Sequence, residues 1–265
     1  MSDDVLLIES RDQVDWVTMN RPAASNALNQ QLIEALLEYF EGLRNNHAVR
    51  VVVLKANGRN FCAGADLAAG GFDDTSRTPH NIWRMQRRIS DIYRAMRRCP
   101  QPVIALVQGA ACGGGFSLAL ASDIRIAGES ARMNAAYIKI GLTGADMGSS
   151  YFLPRLVGTS VASELLLTGR FIHAPRALAV NLVSEVVADA ELEAAARSYI
   201  QEMLRTSPMG LRLTKEAVNH AIDAGSLDAA MAMEDRHQTL LMMTGDSKEA
   251  VMSFLEKREP DYQDR

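Results

Sequence analysis

Residues 102–123 restrict the fold of this chain more than any other stretch, and they read PVIALVQGAACGGGFSLALASD. The apolar run Val103–Val107 is typical of a buried strand. Gly113, Gly114 and Gly115 follow, and residues 116–121 are apolar on all sides, which predicts a buried helix. Because glycine costs backbone entropy in ordered segments, three in a row indicate a need for bare backbone. That need is either close packing of strand and helix or an N–H group left open to an anion or a developing oxyanion.

The composition narrows the class of protein. The chain has 265 residues, 48% of them hydrophobic and 23% charged, as in ordinary globular proteins. A net charge of −4 argues against nucleic-acid binding. No apolar run is long enough to span a bilayer, and the acidic start of the chain is unlike a signal peptide, so we expect a cytoplasmic protein without a membrane partner. The three cysteines show no C-x-x-C spacing and the five histidines are scattered, so no metal site is predicted.

The hydrophobic pattern alternates strands with helices and then continues in helices alone. Predicted strands cover residues 5–9, 14–20, 51–54, 103–107, 123–127 and 182–187. Residues 132–141 read as a short extended segment. Predicted helices cover residues 30–45, 80–98, 116–121, 191–205, 208–224, 227–244 and 248–258. This pattern predicts an α/β core over residues 1–190 and an all-helical region over residues 191–265.

Two features lie between the predicted elements. Residues 70–71 and 73–79 read as a flexible polar segment. The helix over 80–98 carries arginines near one face, at positions 84, 87, 88, 94 and 98. A solvated stripe is the favoured interpretation of that face, and contact with a polyanionic ligand or a neighbouring subunit is the alternative.

A second loop of small residues also follows a buried strand. It reads FCAGADL over residues 61–67. Loops at the ends of two neighbouring strands can place two backbone N–H groups around one oxygen, which is what polarisation of a carbonyl requires.

These motifs resemble those of one known family. The chain resembles the crotonase (enoyl-CoA hydratase/isomerase) superfamily in the identity and order of five motifs. These motifs are FCAGADL, the stretch around GGGF, LPRLVG, LLLTGR and FLEKREP. The resemblance covers residues 20–260. It implies a crotonase-type spiral of ββα units with a C-terminal helical region, a homotrimer or dimer of trimers, and an acyl-CoA thioester as substrate. It implies no cofactor, because coenzyme A enters as part of the substrate.

The resemblance also assigns residues. The two oxyanion-hole donors would be the N–H groups of Ala65 and Gly114. The loop that contains Ala63, Asp66 and Leu67 would wrap the coenzyme A moiety. Lys257 would reach a coenzyme A phosphate, in a neighbouring subunit. The C-terminal region would carry the trimer contacts and cover the acyl-CoA pocket.

The chain departs from the family pattern at the acid and base positions. Family hydratases place one glutamate two residues after the glycines and another about twenty residues later. Ser117 and Tyr137 stand at those positions. Neither side chain has a pKa near neutrality, so ordinary hydration is not expected.

Asp146 is a third candidate for proton transfer. Its segment GADMGSSY resembles the D-V-G stretch of the family's dienoyl-CoA isomerases and, more loosely, a segment of the naphthoate synthases. Burial in an acyl pocket would raise the pKa of this carboxyl; a helix N-cap without catalytic role is the alternative. Tyr137 would either donate to an enolate or line the pocket. Ser117 resembles the serine of GGGFS in the hydroxycinnamoyl-CoA hydratase-lyases.

The sequence therefore predicts an acyl-CoA enzyme that stabilises a thioester enolate and moves a proton. An isomerase or atypical lyase is favoured. The alternatives are a hydratase by family name only, and a catalytically silent acyl-CoA-binding protein.

Overall fold

The computed structural model describes residues 4–69 and 78–265. Within them the strands are β1 (Leu6–Arg11), β2 (Val14–Met19), β3 (Val51–Ala56), β4 (Val103–Val107), β5 (Ala110–Cys112), β6 (Ile124–Gly128), β7 (Arg132–Asn134), β8 (Ile172–His173) and β9 (Glu185–Val187). The α-helices are α1 (Gln30–Gly42), α2 (Pro79–Arg98), α3 (Gly114–Ala121), α4 (Ser149–Thr168), α5 (Ala174–Ala179), α6 (Leu192–Leu204), α7 (Pro208–Ala221), α8 (Leu227–Met242) and α9 (Gly245–Glu256).

The larger sheet has six strands in the order β1-β2-β3-β4-β6-β9. β1 and β2 form an antiparallel hairpin, and every other pair in this sheet is parallel. Successive residues of β3 face opposite sides, so Val52 and Leu54 pack with α1, α2 and α3 while Val51 and Val53 pack with α6. Helices thus cover both faces, which explains why the central strands read as continuous apolar runs.

A second, smaller sheet sets the position of the candidate site. It consists of β5, β7 and β8, and the chain enters it directly after leaving the larger sheet at Val107. Cys62, in the loop after β3, forms a bridge with Ala111 of β5. The two small-residue loops that follow β3 and β4 are therefore side by side. The sequence did not predict this sheet because its strands of two or three residues are too short to show a period.

Several predicted boundaries differ from the structure by a few residues, and three of these differences change the description of an element. Helix α3 starts at Gly114 and not at residue 116. The strand predicted over 182–187 is confined to β9, because Leu182 and Val183 are buried in a turn after α5. The segment 132–141 is extended only in β7 and continues as a 3₁₀ helix, Ala136–Ile140. In the last two cases, a short apolar run indicated burial and not backbone conformation.

The predicted polar segment over 70–71 and 73–79 lies outside the described residues, apart from Thr78, which caps α2, and Pro79. On the arginine face of α2, Arg88 pairs with Glu34 and Arg94 pairs with Asp91. These ion pairs within the chain fit the favoured interpretation of this face as a solvated stripe.

The C-terminal helices differ in burial. α6 packs against the larger sheet, whereas α8 contains no buried residue. The division of the chain at residue 190 stays a prediction. Among the described helices, none combines the length and the apolar character needed to cross a lipid bilayer.

Candidate functional site

The three glycines form a turn in which side chains do not fit. Gly113 has φ +50° and ψ −117°, a conformation that residues with a Cβ rarely adopt. A Cβ on Gly115 would lie 2.2 Å from the carbonyl oxygen of Cys62. The expected need for bare backbone is therefore real, and one part of it is the close contact between the two loops.

The loop after β3 is held by the segment that precedes α1. The Leu28 N–H donates to the Gly64 oxygen over 2.7 Å, and the Asp66 N–H donates to the Leu28 oxygen over 3.1 Å. These bonds fix the peptide groups on both sides of Ala65. A Cβ on Gly64 would lie 3.6 Å from the Gly114 nitrogen, so the loop also reaches the start of α3.

Two N–H groups stay open at this junction. Over residues 4–69 and 78–265, neither the Ala65 N–H nor the Gly114 N–H donates to a protein acceptor. Gly114 is the first residue of α3, so its N–H has no partner inside the helix. The positive end of the helix dipole adds to the attraction for a negative oxygen.

Ser117 and Tyr137 are brought together by the fold. Their hydroxyl oxygens are 2.7 Å apart, and the Tyr137 hydroxyl donates to the Gly113 carbonyl oxygen over 3.0 Å. Both side chains are buried. Burial raises the pKa of Tyr137 to about 12, although hydrogen bonds from Ser117 and Ser149 oppose the rise. Both groups are consequently neutral at physiological pH.

Asp146 lies in the loop before α4, three residues ahead of its first residue, Ser149. The N-cap of α4 is Gly148, so the alternative interpretation of Asp146 as an N-cap is wrong. Two hydrogen bonds converge on its Oδ1, one from the Met147 N–H (2.7 Å) and one from Gln86 Nε2 (2.6 Å).

The second carboxylate oxygen of Asp146 stays open. Oδ2 accepts no hydrogen bond from any described residue. Burial raises the pKa of the carboxyl, and the bonds from Met147 and Gln86 partly counteract that rise. A carboxylate with one oxygen anchored, the other free and a raised pKa is suited to accept a proton.

Three of the four residues predicted to bind coenzyme A lie on the loop after β3, and the fourth, Lys257, lies at the end of α9. Asp66 pairs with Arg21, with 2.8 Å between Oδ2 and Nη2. Ala63 and Leu67 are exposed on the same loop. Lys257 is exposed at the end of α9, and its ammonium makes no ion pair with any described residue. Their role in binding coenzyme A stays a prediction.

Three residues that the sequence did not point to surround the junction. Gln86 holds Asp146, and the Tyr93 hydroxyl donates to the Gly114 carbonyl oxygen over 3.0 Å and approaches Met147 Sδ at 3.1 Å. Gln86 lies on the same face of α2 as Ile89 and Tyr93, which are buried. The sequence did contain one signal for Gln86: it is a polar residue at a helical position that continues the apolar face of α2.

A cleft of about 870 Å³ lies between α2, α4 and α7, and Tyr93 and Met147 are among its walls. Lys215 is buried there and contacts Asp123 at 2.9 Å, and Arg155 pairs with Asp223. Both cations are thus paired with carboxylates of the same chain. Among residues 4–69 and 78–265, no three histidine, cysteine or acidic side chains are grouped as metal ligands.

Comparisons with known proteins agree with this architecture. Residues 9–265 match the sequence model of the family "Enoyl-CoA hydratase/isomerase". The probable enoyl-CoA hydratase EchA12 of Mycobacterium tuberculosis is 38% identical over an alignment of 265 residues, and the alignment covers 98% of this chain and 93% of that protein. The 1,2-epoxyphenylacetyl-CoA isomerase of Escherichia coli is 33% identical over 246 residues, 93% of either chain.

The solved structures give the same result. The enoyl-CoA hydratase of Bacillus anthracis superposes with a TM-score of 0.92 at 32% identity, over 98% of this chain and all of that one (100%). The predicted fold class, an α/β spiral with a helical C-terminal region, is confirmed by this match.

Proposed function

The chain belongs to the enoyl-CoA hydratase/isomerase family and is an acyl-CoA enzyme of that family, and on this premise we propose that it moves a proton within a bound enoyl-CoA. Double-bond isomerisation, or a related elimination, is favoured over the addition of water. One observation carries the proposal: Asp146 keeps a carboxylate oxygen without a hydrogen bond from any described residue, while Ser117 and Tyr137, at the positions where the family resemblance places the hydratase glutamates, are neutral and bonded to each other.

The first step uses the two open N–H groups. The thioester carbonyl oxygen sits between the Ala65 and Gly114 N–H groups, which stabilise the negative charge that develops when the α- or γ-proton leaves. Backbone donors of this kind do not titrate. Their orientation is set in advance by the hydrogen bonds around Gly64 and Gly113.

The second step is the transfer itself. Asp146 Oδ2 takes the proton from one carbon of the allylic system, the electron pair shifts into the enolate, and the same oxygen returns the proton at the other carbon. Burial raises the pKa of Asp146, which makes its carboxylate a stronger base. Hydration would need a second group to activate water, and the hydroxyls of Ser117 and Tyr137 are too weakly acidic and basic for that task.

The names of the relatives allow both chemistries. EchA12 is named a hydratase, and the E. coli relative is named an isomerase. The isomerase is therefore a precedent at similar sequence distance for a reaction without net addition of water.

The homotrimer or dimer of trimers that the family resemblance implies also belongs to this proposal. In its favour, the C-terminal helices expose large apolar side chains, such as Met242, Met243 and Phe254. These side chains suit a contact with a second copy of the chain.

The reaction is tested by incubating the protein with 2-enoyl- and 3-enoyl-CoA thioesters in deuterium oxide and following the acyl group by mass spectrometry. We expect interconversion of the two positional isomers, with deuterium incorporated to the extent that Oδ2 exchanges its proton with the solvent before returning it. A main product that has gained the mass of water would contradict the isomerase preference. Binding by calorimetry with neither interconversion of the isomers nor deuterium exchange would favour the catalytically silent alternative.

A change at Gln86 provides a further prediction. Gln86→Met removes the donor to Asp146 Oδ1 and keeps most of the side-chain volume. Because that hydrogen bond lowers the pKa of Asp146, we expect the acidic limb of the pH–rate profile to move to higher pH, with the plateau nearly unchanged. Met85→Leu, at an exposed neighbouring position, is the control. A limb that does not move would mean that Asp146 is not the titrating base.

A further inference from the structure

One peptide group connects the open donor to the two residues that replace the glutamates. The Gly114 N–H and the Gly113 C=O belong to the same planar unit, so whatever holds the carbonyl also orients the N–H. The Gly113 oxygen accepts two hydrogen bonds of 3.0 Å, one from the Ser117 N–H and one from the Tyr137 hydroxyl.

The direction of the hydroxyl protons follows from counting the donors and acceptors among these groups. The Gly113 carbonyl oxygen can only accept, and the Tyr137 hydroxyl has a single proton, so Tyr137 donates to Gly113. The Ser117 hydroxyl, 2.7 Å from the Tyr137 oxygen, then has to be the donor in their contact. The chain of donors runs from Ser117 to Tyr137 to the Gly113 carbonyl, so the Tyr137 proton is directed at the Gly113 oxygen.

The glycine turn needs such a restraint. With glycines on both sides of the peptide unit, rotation of the plane is less hindered than with other residues, and a rotated plane would present the carbonyl oxygen to the substrate. The conformation of Gly113 is itself far from the common basins. The Tyr137 ring also packs against Gly113, 3.4 Å from where a Cβ would be.

We infer that Tyr137 and Ser117 are positioning residues of the oxyanion hole, which lock the Gly113–Gly114 peptide and polarise its N–H toward the substrate carbonyl. Hydrogen bonds in series strengthen one another, so a donor on the carbonyl makes the N–H of the same unit a better donor. The role in catalysis rests on the proposed function, in which the Gly114 N–H binds the thioester oxygen. The role in holding the peptide rests on the geometry alone.

The test compares Tyr137→Phe and Ser117→Ala with Tyr39→Phe. Tyr39 is the matched control, because its hydroxyl donates to Asp15 over 2.9 Å in another part of the fold. Amide NMR of the free protein measures the Gly114 N–H directly. Infrared spectroscopy of butyryl-CoA with carbon-13 at the thioester carbonyl measures how strongly the bound carbonyl is polarised. Thermal unfolding of each variant verifies that it is folded.

In Tyr137→Phe we expect an upfield shift and faster exchange of the Gly114 amide proton. We also expect a smaller red shift of the bound carbonyl, and a kcat lowered about three- to tenfold with KM little changed. Ser117→Ala should show the same changes to a lesser degree, and the double variant should be no worse than Tyr137→Phe alone. Tyr39→Phe should match the wild type in all three readouts.

Each other outcome has a distinct meaning. A Gly114 amide that is unchanged in both variants overturns the positioning role, with or without substrate. Loss of the alkaline limb of the pH–rate profile with an intact carbonyl shift overturns it in favour of Tyr137 as a catalytic acid. If the Gly114 amide responds but the wild type does not shift the thioester carbonyl, the lock stands and the proposed oxyanion hole fails.

Discussion

Asp146→Asn is expected to lower turnover about 10²–10⁴-fold, the range that a positioned acid–base group contributes. The amide keeps an oxygen that accepts from Gln86 and the Met147 N–H, so the loop before α4 keeps its shape. What is lost is the basicity of Oδ2. Turnover and deuterium exchange of an enoyl-CoA measure the effect.

The control for this variant is Asp91→Asn, which removes a partly exposed carboxylate from α2 whose ion-pair partner among the described residues is Arg94. We expect it to leave turnover unchanged. Asp146→Asn with turnover equal to that of the control would remove Asp146 from the mechanism.

The same variant should gain stability as it loses activity. Burial raises the pKa of Asp146 above that of the unfolded chain, so the folded state binds this proton more tightly and loses stability as the pH rises through the folded pKa. The neutral Asn avoids that loss. We expect a higher Tm than the wild type at neutral pH and a difference that shrinks as the pH is lowered, measured by thermal unfolding.

Gly114→Pro is expected to cost about 2.7–4 kcal/mol of transition-state stabilisation, roughly 10²–10³-fold in kcat, because it deletes one donor of the oxyanion hole. Proline suits the first position of a helix, where no intrahelical bond is lost. Its Cβ would approach Leu28 Cδ1 at 2.7 Å, and that flexible side-chain end can shift.

Gly114→Ala is the matched variant, since it adds the same Cβ and keeps the N–H. The comparison of the two isolates the donor from the crowding of Leu28, Tyr93 and Met147. If proline and alanine lower kcat equally, the crowding and not the missing N–H explains the loss, and the assignment of Gly114 as a donor fails.

Most of the fold could be predicted because its signals are local. The strand β4, the glycine turn and the start of α3 are contiguous in the sequence. The hydrophobic pattern of a few residues therefore indicates both their burial and their secondary structure. The same holds for the loop that contains Ala65. The small sheet was not predicted, and the strand that contains β9 was predicted three residues too long, because strands of two or three residues are defined by pairing partners far away along the chain.

The candidate site likewise has a part that the sequence could predict and a part that it could not. The sequence predicted Ala65 and Gly114 as donors and Asp146 as a candidate base, and the family resemblance predicted that Ser117 and Tyr137 stand where hydratases have glutamates. It did not indicate Gln86, which lies 60 positions from Asp146 along the chain. Nor did it show that Tyr137 directs its proton to Gly113, 24 positions away.

By itself, then, the sequence determined which chemical groups are present and which are missing, because residue identity and periodicity are properties of the chain alone. Only the tertiary structure decided what those groups do. The direction of a hydroxyl proton and the raised pKa of a carboxyl depend on acceptors, donors and burial that other elements supply. That difference separates Tyr137 and Ser117, which hold the Gly113–Gly114 peptide in our proposal, from Asp146, whose Oδ2 accepts no hydrogen bond from any described residue.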